Sequence, residues 1–284
     1  MSVQCSTSFI VETALLGQGL VSVTSKQILE RWPSDALVAW LQKGRIIIGP
    51  IEEFLHYQKQ AKSWRRLNGL TLYEAIKEGV DGFLTASAAI AVARDMGCQV
   101  VVSAGIGGIG DIIEERLCYD LPALAKTEIS LVATSPKDML DIPSTIGWLH
   151  NNGVKTFGVD TEFCDGYVFV GQKTRLIQAL SHDELGSLAK GYNLILNPIH
   201  HEKRLKNSDY LGEAIKIGKL AEQNNEHFHP AANRRLDELS QGRSSIIQLE
   251  SLIANIAVAR NIKGEQDGLC LDKVNLLQSR PRTS

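Results

Sequence analysis

Gln99-Val100-Val101-Val102-Ser103-Ala104-Gly105-Ile106-Gly107-Gly108-Ile109-Gly110 is the stretch on which the reading of the fold turns. Three consecutive valines describe a strand that is apolar on both faces, and the glycines that follow describe a tight strand-end loop. Outward from it, Ser130–Ala133 and Thr156–Val159 repeat the two-sided apolar pattern, with helical periodicity over Ala86–Met96 before the loop and Ser144–Asn151 after it. Strands buried on both faces and separated by amphipathic helices predict a mostly parallel sheet sandwiched between helical layers, an α/β fold of the α/β/α type. Further strands are expected at Phe9–Glu12, Arg45–Ile48, Tyr167–Val170 and Leu194–Leu196, and further helices at Lys26–Trp32, Thr71–Glu78, Asp183–Lys190, Ser208–Asn224 and Ser245–Arg260. No Pro/Gly-rich linker or internal repeat divides the chain, so a single domain over 1–284 is expected, with an irregular polar tail after about residue 264.

The composition narrows the partners. With 284 residues, 44% hydrophobic and 22% charged, the chain can bury a sizeable core. Thirty basic against thirty-two acidic side chains leave a net charge of −2, which argues against nucleic acid and anionic membrane as partners. The five cysteines, Cys5, Cys98, Cys118, Cys164 and Cys270, form no CxxC pair and indicate neither a disulfide framework nor a zinc site. No apolar run approaches a membrane span and the first residues lack the basic flank of a signal peptide, so a cytoplasmic protein is expected.

The glycine loop formally contains GxGxxG after a strand, the signature of a dinucleotide site. Two features argue against that reading. The strand Ser130–Ala133 runs into Thr-Ser-Pro rather than the acidic residue that would hold ribose hydroxyls, and Asp111-Ile-Ile-Glu-Glu places acid where pyrophosphate would lie. A glycine loop at a strand end still suits a single phosphate, because backbone amides can approach it closely.

Six motifs in register then converge. They are Glu12-Thr13-Ala-Leu-Leu-Gly-Gln18-Gly19, Gly44-Arg-Ile-Ile-Ile-Gly49, Thr85-Ala-Ser-Ala-Ala, Ala104-Gly-Ile-Gly-Gly108, Asp120-Leu-Pro with Lys137 seventeen residues on, and Asn197-Pro-Ile with Ser245-Ile-Ile-Gln-Leu. Over about residues 10–262 the sequence resembles the pseudouridine-5′-phosphate glycosidase family, also known as indigoidine synthase A-like proteins, as a divergent member. The resemblance implies an α/β/α fold assembled as homotrimers and a lyase that reversibly cleaves a C-nucleoside phosphate into ribose 5-phosphate and a nucleobase.

A base joined through carbon is a poor leaving group, so two carboxylates alone do not suffice. Opening the ribose ring and binding C1′ to a lysine as an imine supplies an electron sink, and a lysine amine is nucleophilic once neutral. The resemblance makes Lys137 that nucleophile, Glu12 the general acid/base, and Lys62 a second lysine that holds the sugar. It assigns Thr85, Ser87, Gly105, Gly107, Gly108 and Asn197 to the substrate and its phosphate, and Asp120 to a manganese ion.

The sequence also departs from the family pattern. An acidic position is Arg116, which is expected to neutralise phosphate instead. The histidine after GGIGG is absent at Gly110, and the family's active-site asparagine falls at Ile246. A roomier, more apolar base pocket is therefore expected, with uracil handled poorly or another ring accepted, and with His200, His201 or Gln18 taking over lost contacts. Two other readings accompany the lyase: a biosynthetic C-glycosynthase joining ribose 5-phosphate to a different ring, and a non-catalytic sugar-phosphate-binding relative.

Overall fold

The computed structural model describes residues 9–59, 64–113 and 116–262. Lys62 and the tail after 264 lie outside these residues. The strands are β1 (Phe9–Val11), β2 (Val38–Gln42), β3 (Arg45–Gly49), β4 (Arg65–Leu67), β5 (Gly82–Leu84), β6 (Val100–Val102), β7 (Ile129–Ala133), β8 (Lys155–Val159), β9 (Phe163–Cys164), β10 (Thr174–Arg175), β11 (Gln178–Leu180) and β12 (Tyr192–Leu196). The helices are α1 (Ala14–Gln18), α2 (Ser25–Leu29), α3 (Ile51–Gln58), α4 (Leu72–Glu78), α5 (Ala86–Met96), α6 (Asp120–Lys126), α7 (Ile142–Asn151), α8 (Asp209–Gln223), α9 (Phe228–Leu239) and α10 (Arg243–Ala259).

Ten strands form one sheet in the order β11-β8-β12-β7-β6-β1-β2-β5-β4, with β3 paired to β2. The centre is parallel: β6 pairs with β1 and β7, and β12 is inserted between β7 and β8. Only the β2–β3 and β2–β5 pairings in this sheet are antiparallel. The β2–β3 hairpin turns on Lys43 and Gly44, at φ 48° and 72°. That left-handed pair matches the twist of the flanking strands, and a side chain at Gly44 would meet the Ile76 carbonyl at 2.4 Å.

Alternation places the two helical layers. Val100 and Val102 of β6 point into one core with Phe228, Leu236, Leu252 and Ile256 of α9 and α10. Val101 points into the other, with Ile90 of α5, Leu121 of α6 and Ile146 of α7. This is the expected α/β/α sandwich. α5 is buried along nearly its whole length, which its run of alanines permits, since small side chains let the helix lie close against the sheet.

Two readings of local structure are corrected. Tyr167–Val170 is not a strand: the N–H groups of Tyr167, Val168 and Phe169 donate to the Asp138 carboxylate at 2.6, 2.8 and 3.3 Å, so they are unavailable to a ladder. Asp183–Lys190 is a 3₁₀ turn over His182–Ser187 rather than an α-helix. No helix among the described residues is long and apolar enough to cross a membrane.

Candidate active site

The carboxyl ends of the parallel strands face one cleft. Glu12 directly follows β1 and Ser103 directly follows β6, and both line it together with Thr85, Gly105, Asp120 and Lys137. Neighbouring strand ends in a parallel sheet point the same way, so residues distant in sequence converge there.

Glu12 is almost fully buried. Its Oε2 accepts the Ala14 N–H at 2.7 Å and its Oε1 accepts the Ser103 hydroxyl at 3.3 Å. Burial pushes its carboxyl up to about 7; nearby Arg66, the Ala14 N–H and Lys137 oppose the rise, and Asp120 adds to it. A carboxyl poised near neutrality can give and take a proton in one cycle.

Lys137 is positioned by its backbone. Beyond the ends of β6 and β7 the two chains stay zipped: Thr134 N–H donates to Ala104 C=O at 2.9 Å, Ile106 N–H to Ser135 C=O at 3.0 Å, and Lys137 N–H to Ile106 C=O at 3.2 Å. The glycine loop thus fixes where the lysine leaves the sheet edge. Next to it, half-buried Asp138 is covered by the 167–169 segment, and the loss of solvent around it lifts its carboxyl to about 6 despite three N–H donors.

Asp120 opens α6 and is tied at both oxygens: the Ser87 N–H donates to Oδ1 at 2.9 Å and the Gly107 N–H to Oδ2 at 2.9 Å. It braces the start of α5 against the glycine loop while remaining in the cleft wall. No group of three or more His, Cys, Asp or Glu side chains among the described residues is arranged to hold a metal ion. A cation at Asp120 would have this one carboxylate, each oxygen already accepting one N–H, and would need water or ligand oxygens for the rest of its shell.

The other assigned residues divide. Thr85 and Gly105 reach the cleft. Ser87 stands behind Thr85, its Oγ 3.1 Å from the Thr85 Oγ1, and does not line the cleft. Gly107 and Gly108 serve packing: a Cβ on Gly107 would lie 2.0 Å from Cys118 Sγ, and one on Gly108 would lie 2.4 Å from Thr145 Oγ1. Asn197 lines a neighbouring groove and donates to Asn255 Oδ1 at 3.1 Å. Asn255 in turn donates to the Ser103 carbonyl at 2.8 Å and Thr134 Oγ1 at 3.0 Å, so this pair supports the strand ends from behind.

The structure also corrects the readings built on family departures. Ile246 is 39% exposed, on the outer face of α10, whereas Ser244, Ser245, Ile247, Gln248, Ser251, Leu252 and Asn255 form its buried stripe. Gly110 packs on Leu140. Neither position lines the cleft, so their apolar character does not make it apolar. Arg116 is exposed and outside the cleft; the arginine that does line it is Arg66, from β4. His201 bonds Asp165 at 2.6 Å in the neighbouring groove, which His200 also lines. Of the residues expected to take over lost contacts, Gln18 alone lines the cleft.

Asp138, Tyr167, His229, Asn233 and Gln248, all of which line the cleft, were not among the site residues expected from the sequence. For Gln248 a signal existed: it sits on the buried stripe of α10, where a polar residue needs a reason. Tyr167 is buried, its hydroxyl 3.3 Å from Ser251 Oγ, and burial raises its pKa well above the usual phenol range.

Comparison with known proteins agrees with this geometry. Residues 25–265 match the model of the family described as indigoidine synthase A like protein. A pseudouridine-5′-phosphate glycosidase of Methylobacterium nodulans is 36% identical over 121 residues, which is 42% of this chain and 36% of that protein. One from Brachyspira hyodysenteriae is 27% identical over 265 residues, 87% of this chain and 84% of that protein. Among solved structures, an indigoidine synthase A-like protein of Thermotoga maritima superposes with a TM-score of 0.74 at 21% identity, covering 95% of each chain. The prealnumycin C-glycosynthase AlnA, solved with ribulose 5-phosphate, superposes with a TM-score of 0.71 at 19% identity, covering 96% of this chain and 93% of that one. A family match over most of the chain, with the sheet and cleft described above, leads to one conclusion: the chain belongs to the indigoidine synthase A like family.

Proposed function

We propose that this protein is a pseudouridine-5′-phosphate glycosidase, a lyase that reversibly breaks the carbon–carbon bond between a nucleobase and ribose 5-phosphate. The observation that carries the reading is the pairing of Lys137 with a buried Glu12 held near neutrality in one cleft. In the cleavage direction, protonated Glu12 gives its proton to the ring oxygen as the C1′–O4′ bond breaks, and the neutral Lys137 Nζ forms a bond to C1′. Nζ, cationic once bonded, passes a proton to the Glu12 carboxylate; its lone pair then expels the ring, whose carbon takes that proton back from Glu12 as the C1′=N iminium forms. Water adds to that imine, releases Lys137 and leaves open-chain ribose 5-phosphate. In the reverse direction the iminium accepts electrons from the ring carbon.

Arg66, the one described arginine in the cleft, supplies positive charge for the phosphate; Lys62, outside the described residues, is the second lysine that holds the sugar in this reading. Manganese enters through Asp120 alone: its free lone pairs and water would hold the cation, which would offset phosphate charge. A cytosolic homotrimer completes the proposal.

The test is reductive trapping. Ribose 5-phosphate with borohydride is expected to add a reduced pentose phosphate to Lys137, and pseudouridine 5′-phosphate to release uracil. Lys137→Arg is expected to remain folded and lose both, because guanidinium stays protonated. Trapping without uracil release would favour a C-glycosynthase for another ring; sugar-phosphate binding with no adduct would favour a binding protein.

A further inference from the structure

The cleft wall has two origins. Strand ends supply Glu12, Ser103 and the approach to Lys137; helices supply Gln18 from α1, Asn233 from α9 and Gln248 from α10. These three helical residues are carboxamides, neutral at every working pH, each carrying donors and an acceptor. Gln248 is buried, with 4% exposure, and Gln18 Oε1 is buried with no hydrogen-bond partner among the described residues. Native structures rarely leave a buried polar atom unmatched without a ligand, ion or water to meet it. The carboxylates Glu12 and Asp120 are engaged instead: Glu12 Oε2 accepts the Ala14 N–H, and Asp120 accepts the Ser87 and Gly107 N–H groups, one at each oxygen.

On the function proposed above, we infer that Gln18, Asn233 and Gln248 read the ring joined to the sugar, and that the ring they fit presents N–H and C=O groups side by side, as a pyrimidine imide does. A carboxamide matches such an edge with one donor and one acceptor, whereas an apolar aromatic ring would leave three carboxamides unmatched. A site that hydrogen-bonds its ligand discriminates strongly against analogues that lack the bonding group.

Two measurements test this. In the wild type, pseudouridine 5′-phosphate is compared with its N1-methyl and N3-methyl derivatives, each lacking one ring N–H. At least one methyl derivative is expected to lose about 100-fold or more in kcat/KM. Gln18→Leu and Gln248→Leu are then expected to lower kcat/KM for the parent about 10- to 100-fold, and to shrink the gap between parent and methyl derivative. Their affinity for ribose 5-phosphate, measured by calorimetry, is expected to stay within about twofold of wild type, and this also shows that each variant is folded. Equal rates for parent and both methyl derivatives in the wild type would overturn the inference while leaving the lyase reading standing. Full parent activity in both variants would do the same. A wild type that neither binds ribose 5-phosphate nor cleaves pseudouridine 5′-phosphate would remove the function itself.

Discussion

Replacing Glu12 with glutamine keeps the shape of the side chain and removes its titration. In the folded protein burial lifts this carboxyl from its ordinary 4.5 to about 7. At 1.36 kcal/mol per pH unit the rise amounts to about 3 kcal/mol of disfavour for the charged form. Between those two pH values the folded state keeps a proton that the unfolded state has released, so stability falls as pH rises through the window. Below 4.5 both states are protonated and no penalty exists; above about 7 it is present in full. Glu12→Gln is therefore expected to gain stability relative to wild type, by about 3 kcal/mol, as pH goes from 4.5 to 8. The assay is urea unfolding of both proteins at half-unit pH steps, read as the difference in unfolding free energy so that other groups cancel. Activity measured in parallel is expected to vanish in the variant and, in the wild type, to change with an apparent pKa near 7. A stability difference that stays flat with pH would refute the reasoning, since it would mean that Glu12 is charged at ordinary pH in both states.

Asp120→Asn replaces one acceptor with an amide that faces a backbone N–H, breaking one of the bonds from Ser87 and Gly107. A loss of about 2–3 kcal/mol is expected in unfolding experiments run with excess chelator; unchanged stability with lost manganese response would assign Asp120 to the cation alone. Gly107→Ala drives a methyl to 2.0 Å from Cys118 Sγ. It is expected to cost about 2 kcal/mol or more in thermal unfolding and to be partly relieved by Cys118→Gly, and no relief would mean that the loop is held by something other than this contact.

The parallel centre of the fold was legible because its strands are buried on both faces, which writes continuous β-branched runs such as Val100–Val102 into the sequence. The outer strands were not: β4, β5, β10 and β11 are two or three residues long, too short for a period to show. Central β2 was missed although it is buried and carries Trp40, because nothing in a pattern states which neighbour a strand will pair with. The order β7-β12-β8 was equally hidden, since pairing between distant strands is settled by packing rather than spacing.

The candidate site divides along the same line. Glu12 and Lys137 were legible as candidates through the family resemblance, each lying beyond an apolar strand at the sheet edge where parallel sheets bind ligands, and both line the cleft. The sequence also determined that glycine must occupy the 105–108 loop, but not that two of those glycines, Gly107 and Gly108, are required by side chains behind them. Which polar residues face the cleft was settled by packing: Gln248 inward and Ile246 outward on one helix, Arg66 inward and Arg116 out in solvent. A helix turns by about 100° per residue, so a shift of two positions reverses the face, and the face is fixed by the partner that buries it.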